Sequence, residues 1–447
     1  MPADTLSRWR QCLPWLVLLM WIAEFTHLTV HWVWTSHLAA IVALVVAFSA
    51  VGTTGGTPRM TFVVCSFLVV AIATINGQWL AVWAGVQKAA LFACFLASLL
   101  ALGALVRLSS RLESLQQSFD QQPQAARSGV LQVLGLLFAV PLAVGAVGVV
   151  APLLSRQLTQ DQRLVDASWA MRGMGMAVLF SPFTVAMGVA IESSVDEMPI
   201  GMLMLSGLLM ALGLVGFSFF RGQCALPRKL PGAFYSDLLL MFSPVVLLIS
   251  VNMGFVFGLG YTPMQAAAIT LIPGVVLLAL LKQKDGLART VTSVRSSWSR
   301  FDGEIAIFVA SLCFASAVSS IAEVNEIVAA FAAVTGPTAL IILTAVLIVA
   351  FAMVGVHMVV TATLFVTVFS PLMQTEWQVV LLALSSLLGW SFGTMAAIGS
   401  LAYVAACNIL GVSTRKMAIG INLRFMTVSV VLFSLVVVVL SGGGFVN

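Results

Sequence analysis

A histidine inside an otherwise apolar stretch is the residue whose chemistry stands out first. His357 follows Gly355-Val356 within the long apolar run 337–373, and an imidazole changes charge near neutral pH. A titratable side chain at membrane depth marks a candidate site for ion or proton binding. The plain alternative is a neutral ring bonded to a neighbouring carbonyl. Thr361 and Thr363 stand just downstream, and Thr394 and Ser400 flank an interruption from Gly393 to Gly399. Earlier in the chain, Ser181 and Thr184 bracket Pro182-Phe183 in another apolar run. Hydroxyls beside an interrupted membrane helix suit Na⁺ together with unwound carbonyls, and half-helix N-termini suit an anion. Such hydroxyls also back-bond to the preceding helical turn. Asn408, a turn beyond the second interruption, is placed either to coordinate an ion or to cap a partner helix. The candidate solute- and ion-binding set is therefore Ser181, Thr184, His357, Thr361, Thr363, Thr394, Ser400 and Asn408.

Other polar groups carry weaker signals. Arg424 either faces an anion or snorkels to the interface. Glu24, His27 and His31 share one helical face, a spacing open to a metal or a proton relay, but an interfacial polar face is the simpler reading. Lys88 is assigned no role, and the Met-rich run from Met171 to Met210 reads as packing.

The elements that hold these residues follow from composition. Hydrophobic residues make up 61% of the 447 and charged residues 8%, with a mean hydropathy of +1.09. Many runs reach the ~20 apolar residues needed to cross a bilayer as a helix, whereas a membrane β-barrel shows short alternating segments. The fold class is thus an all-α polytopic membrane protein. The net charge of +5 is a topology signal and implies no nucleic acid partner. Six cysteines sit singly in or beside apolar runs, which supports neither a disulfide framework nor a metal site. The sequence has no paired carboxylates, HExxH, Ser/His/Asp arrangement or phosphate-cradling loop, so an enzyme is not expected, and no cofactor is implied. Arg8, Arg10 and the apolar run after them read as an uncleaved first helix, because no small-residue cleavage site follows.

An internal repeat organises the rest. Moving the sequence by 219 residues lays Met176–Gly201 on Met395–Gly420 without a gap; Ser181 falls on Ser400, and Pro152-Leu153 falls on Pro371-Leu372. The linker after the first copy is acidic (Glu192, Asp196, Glu197) and that after the second is basic (Arg415, Lys416). Cytoplasmic loops collect Lys and Arg, so the two copies enter the membrane from opposite sides. Spans are expected at 13–31, 37–52, 61–79, 80–105, 173–191, 199–219, 232–251, 256–281, 303–320, 378–411 and 418–440, about 11 transmembrane helices. Two re-entrant hairpins, 128–152 and 337–373, complete two inverted-topology repeats. With the N-terminus cytoplasmic and the C-terminus outside, every Lys and Arg except Lys88 and Arg424 lies on the cytoplasmic face. The organisation is then an added helix at 1–36, repeat 1 at 37–219 with broken helix 173–191, a cytoplasmic linker at 220–231, repeat 2 at 232–440 with broken helix 378–411, and a short outer tail at 441–447. Amphipathic interfacial stretches precede both hairpins, Leu108–Phe119 and Ile321–Ala333.

Inverted repeats with broken helices mark secondary transporters. A hairpin with the tract Thr361-Ala362-Thr363 that ends at Pro371-Leu372, followed by a span broken at Gly393-Thr394 through Gly399-Ser400, resembles the ion transporter superfamily. Its members include divalent-anion/sodium symporters, arsenite-type permeases and sodium/proton antiporters. The likeness covers nearly the whole chain in topology and about 361–371 and 393–413 in motif. The Ser-Asn-Thr motif of the symporter tips is absent, since the second tip reads Val360-Thr361-Ala362-Thr363 and the first, Val140 to Gly145, has no hydroxyl. The resemblance implies an elevator motion against a dimeric scaffold, hence a homodimer in the lipid bilayer. The expected function is secondary active transport of a small anionic solute, an organic acid or oxyanion, across a bacterial inner membrane, coupled to H⁺ or Na⁺. The alternative is a non-transporting scaffold or accessory protein for envelope assembly, favoured by the apolar first tip.

Overall fold

The structure, a computed structural model, describes residues 3–108, 111, 115, 124–154, 159–194, 198–220, 232–281, 285–397 and 401–442. Ser400, Asp196, Glu197, the linker 221–231, the tail 443–447 and most of Leu108–Phe119 lie outside the described residues. Among those described, helices account for all the regular structure.

The helices run in order α1 Ala3–Val30, α2 Val33–Thr53, α3 Thr57–Asn76, α4 Trp79–Arg107, α5 Gln124–Leu142, α6 Val147–Val150, α7 Gln160–Val178, α8 Val185–Glu192 and α9 Ile200–Phe220. They continue with α10 Gly232–Leu259, α11 Pro263–Leu281, α12 Gly286–Trp298, α13 Asp302–Ser319, α14 Ala322–Met353, α15 Met358–Phe369, α16 Glu376–Ala396, α17 Leu401–Leu410 and α18 Leu423–Gly442. Short 3₁₀ turns follow α5, α6 and α15, and a π-helix, Lys416–Asn422, leads into α18. Eleven of the described helices are long and apolar enough to cross a bilayer. One of these is Ala322–Met353, which the sequence divides between an interfacial stretch and a hairpin arm. Gly336 at φ +76° separates its two helical parts. The first broken helix drops out of the eleven because it is split between α7, which is polar in its first half, and the short α8.

Two boundaries differ from the sequence reading. The first broken helix begins at Gln160 and not near residue 173. Thr159 and Gln162 form a reciprocal capping box at its start, satisfying backbone N–H groups that would otherwise be orphaned. The polar run 160–172 looks like a loop only while its ionic groups are taken as solvated. In the fold Asp166 and Arg172 are both buried, so Arg172 belongs to a buried helix and not to a cytoplasmic loop. The second difference is α12, an amphipathic helix within a stretch that the sequence leaves as a basic loop. Trp298 is buried on its inner face, its Nε1 donating to the Ala97 carbonyl at 3.1 Å, while Arg289 and Arg295 are exposed.

The chain divides into two compact units. The first comprises residues 1–108, 247–329 and 359–368. Its centre is α4, buried from Val86 to Val106 except at four positions and packed by α13, α11 and α2. Gly85 admits the α13 backbone at Cys313, because a methyl group there would come within 2.8 Å of its Cα. Trp21 Nε1 donates to the Ala268 carbonyl at 2.8 Å, and Leu28, Leu91, Ala268 and Ile269 form a small apolar cluster near it. The second unit comprises residues 109–246, 330–358 and 369–447 and contains both broken helices. Each sequence repeat contributes to both units.

Candidate functional site

Within the second unit the first helix–break–helix piece and the arm of the second, up to Met358, lie against the two broken helices. α5 ends beside Pro141, and the chain turns through Ala143 at φ +46° and a 3₁₀ segment into α6 and Pro152-Leu153. α7 ends at Val178, and residues 179–184 are non-helical. The two breaks meet where the Ser181 hydroxyl donates to the Val140 carbonyl at 2.5 Å and accepts the Phe183 N–H at 3.1 Å. Pro141 deprives its turn of a backbone donor, and Ser181 supplies one to the carbonyl just before it. Thr184 restarts the helix. Its hydroxyl accepts the Met187 N–H and donates to the Ser181 carbonyl, both at 3.2 Å. That is an N-cap in the usual sense.

The second pair has the same parts in other residues. After the arm 337–353 the chain breaks at 354–357, with Gly355 at φ +100°, and resumes in α15, which ends in a 3₁₀ turn over Ser370–Leu372. α16 ends at Ala396 and α17 begins at Leu401. Gly393 lies under the Met358 side chain, where a methyl group would collide with its sulfur. The tip of the second piece is thus packed on the turn that carries Thr394.

The candidate residues are distributed as follows. Ser181 and Thr184 lie together in the first break, both buried. His357 is the last residue of the second tip, half-buried and engaged by neighbouring groups. Thr394 donates to the Ser391 carbonyl at 2.6 Å, and Thr363 to the Val359 carbonyl at 2.6 Å, each closing on its own helix. Thr361 is buried in α15. Asn408 is on α17 with its side chain exposed, and its carbonyl accepts the Gly411 N–H at the helix end. Arg424 is likewise exposed on α18. Glu24 is buried whereas His31 is exposed, and His27 Nδ1 lies 3.3 Å from the Trp32 carbonyl. No group of three His, Cys, Asp or Glu side chains among the described residues is placed to hold a metal ion.

Three buried polar features escaped the sequence reading. Arg127 on α5 and Asp166 on α7 form an ion pair at 2.9 Å, with side-chain exposures of 8% and 0%. Arg172, on the same helix, donates from Nε to Asn422 Oδ1 at 3.0 Å and from Nη2 to the Ile421 carbonyl at 2.8 Å. Its guanidinium lies 4.5 Å from the Trp169 ring centre and 4.8 Å from that of Phe425. Ser391 on α16 is fully buried, and its hydroxyl has no hydrogen-bond partner among the described residues. A signal was present for Arg172: a lone Arg directly beside a continuous apolar run.

The fold and this arrangement define an all-α polytopic membrane protein built around two broken helices. No family model and no curated protein matches the chain. Among solved structures it is similar to the YdaH transporter of Alcanivorax borkumensis, whose crystal structure is described as revealing an unusual topology. The TM-score is 0.57 at 13% identity, over 87% of this chain and 99% of that one. At that identity the likeness is one of fold.

Proposed function

We propose that the chain is a secondary active transporter that moves a small anionic solute across a bacterial inner membrane, with the N-terminus cytoplasmic. The observation that carries this reading is the twofold seating of a hairpin tip on a helix break, Ser181 on Val140 and Gly393 under Met358. Broken backbone inside a membrane persists only where it lines a cavity or is buried in protein, and paired breaks of this kind form solute sites in transporters. The N-termini of α8 and α17 present positive dipole ends at the breaks. On this reading the two pieces 124–153 and 337–372 are re-entrant hairpins of inverted repeats. The hairpins and broken helices carry the solute in an elevator motion against a homodimeric scaffold, as in the ion transporter superfamily. Coupling works because solute and ion together favour the closed, mobile state. His357 is the candidate proton carrier; Ser181, Thr184, Thr361, Thr363, Thr394, Ser400 and Asn408 are candidates for solute or ion contact.

The test is solute-evoked current in proteoliposomes on a solid-supported membrane. C4-dicarboxylates, citrate, sulfonates and metalloid oxyanions are offered with Na⁺ replaced by choline and with pH stepped. A current that follows the proton gradient without Na⁺ supports H⁺ coupling, and a current that requires Na⁺ supports the symporter analogy. Silence in both current and radiolabelled counterflow favours the scaffold reading. His357→Asn should flatten the pH profile of uptake; an unchanged rate and profile would remove His357 from coupling.

A further inference from the structure

The surroundings of Arg172 have the chemistry of a cation site that is already filled. An amide oxygen, a backbone carbonyl oxygen and two aromatic faces all present their electron-rich sides to the guanidinium. Oxygen ligands of this kind, from unwound backbone and amide side chains, bind Na⁺ in transporters, and aromatic faces add cation–π attraction. The backbone is shaped for the purpose. Ile421 and Asn422 are the last two residues of the π-helix, and π-helical turns, which disturb the regular i→i−4 ladder, gather at functional sites. Asn422 is tied in turn to α16, its Nδ2 donating to the Met395 carbonyl at 3.5 Å. The cradle therefore joins the first broken helix, the π-helix and the end of α16, the three elements that flank the breaks. The position 219 residues after Arg172 is Ser391, where the second repeat puts a buried hydroxyl without a partner among the described residues and no charge.

We propose that Arg172 is a tethered cation occupying a monovalent-cation cradle between the broken helices, so that the transport cycle requires no Na⁺ at this point. The inference rests on the transporter reading and selects the proton as its coupling ion. A guanidinium is charged at every accessible pH, so the cradle stays filled through the whole cycle, and an anionic solute at the first break meets a permanent positive charge about 9 Å along the α7 axis from its last residue, Val178, at 1.5 Å per residue.

The test uses the full chain. Purified Arg172→Ala is heated in detergent with choline, Na⁺, guanidinium or methylguanidinium at ~10 mM, far below the molar range in which guanidinium denatures proteins. The expected result is a melting temperature raised by guanidinium and methylguanidinium, and by Na⁺ to a smaller extent, with no such response in the unsubstituted protein. In proteoliposomes the same variant should lose at least ~10-fold in uptake and recover it when guanidinium or Na⁺ is added. A folded Arg172→Ala whose melting and uptake ignore all three cations overturns the proposal. If that variant does not fold, Arg172→Lys and Arg172→Met decide between charge and packing. Lys active and Met inactive supports a required charge, and Met as active as the unsubstituted chain overturns it. The melting arm does not depend on transport. A chain that moves no solute, yet whose Arg172→Ala variant is stabilised by guanidinium, refutes the transporter reading and leaves the cradle standing.

Discussion

In the first half of the chain α5 is tied to the first broken helix by the buried ion pair Arg127–Asp166. In the second half α14 is tied to α16 by Ser385, the residue 219 positions after Asp166. The Ser385 hydroxyl donates to the Ile341 carbonyl and accepts the Ala345 N–H at 3.1 Å, inserting itself into one i→i−4 link of α14. Next to each tie the helices cross closely, and the glycine that permits it changes sides. Gly135 of α5 lies under the Ala170 carbonyl of α7, whereas Gly389 of α16 lies 3.0 Å, measured from an added methyl, from the Ala345 carbonyl of α14. The two halves thus share a construction, a polar tie beside a close crossing, while sharing almost none of the residues that make it. What is kept is a close approach of two backbones beside a polar tie.

The two ties differ most in energy, which gives the sharpest test of the comparison. Asp166→Ala strands the buried Arg127 charge and should cost about 3–5 kcal/mol. Ser385→Ala frees an N–H and a C=O that can close directly on each other, so its cost should stay near about 1 kcal/mol. Melting in detergent ranks the two. If Ser385→Ala were the more damaging, the ion pair would not be the stronger tie.

The crossings come next. At Gly173 an added methyl collides with the Gln132 carbonyl of α5, and at Gly135 with the Ala170 carbonyl. Both are backbone atoms, so relief requires a shift of whole helices, and Gly173→Ala should destabilise by about 1–3 kcal/mol. At Gly389 the nearest atom, at 2.9 Å, is the Ile348 Cβ. There the gain in helix propensity of about 1 kcal/mol on replacing glycine offsets a milder clash, so Gly389→Ala should melt close to the unsubstituted protein. Equal losses at both sites would mean that the first crossing is no tighter than the second.

The same contrast explains what was legible in the sequence. The break at Ser181-Pro182 could be read because Pro lacks a backbone N–H and crowds the preceding turn, and the spans because hydropathy is local. The capping box at Thr159 is a local Thr-x-x-Gln signature that the reading passed over, whereas the ion pair and the Arg172 cradle could not be read. Each of the last two joins residues far apart in the chain, and an isolated Arg or Asp near an apolar run reads as solvated until its partner is known. Ser181 and Thr184 lie in the first break, whereas Thr361, Thr363 and Thr394 lie within helices, and bonds to Val140, Ser181, Val359 and Ser391 carbonyls already engage Ser181, Thr184, Thr363 and Thr394. Such bonds depend on side-chain rotamers, which spacing does not reveal.

The smallest expected effect separates the two breaks themselves. Thr184 caps α8 in the first, and the residue 219 positions on is Tyr403, whose hydroxyl reaches instead to the Thr414 carbonyl at 2.8 Å. Loss of the cap in Thr184→Ala should cost about 1 kcal/mol, and Thr184→Ser or Thr184→Asp should restore it, since both side chains cap well. The aspartate adds a second reading. If Thr184 serves only as a cap, Thr184→Asp melts and transports like the unsubstituted chain. If its hydroxyl also faces an anionic solute, Thr184→Asp keeps the melting temperature but raises the KM for uptake, because a carboxylate now stands where the anion binds. A melting temperature that falls equally in all three variants would show that the cap contributes nothing to the first break.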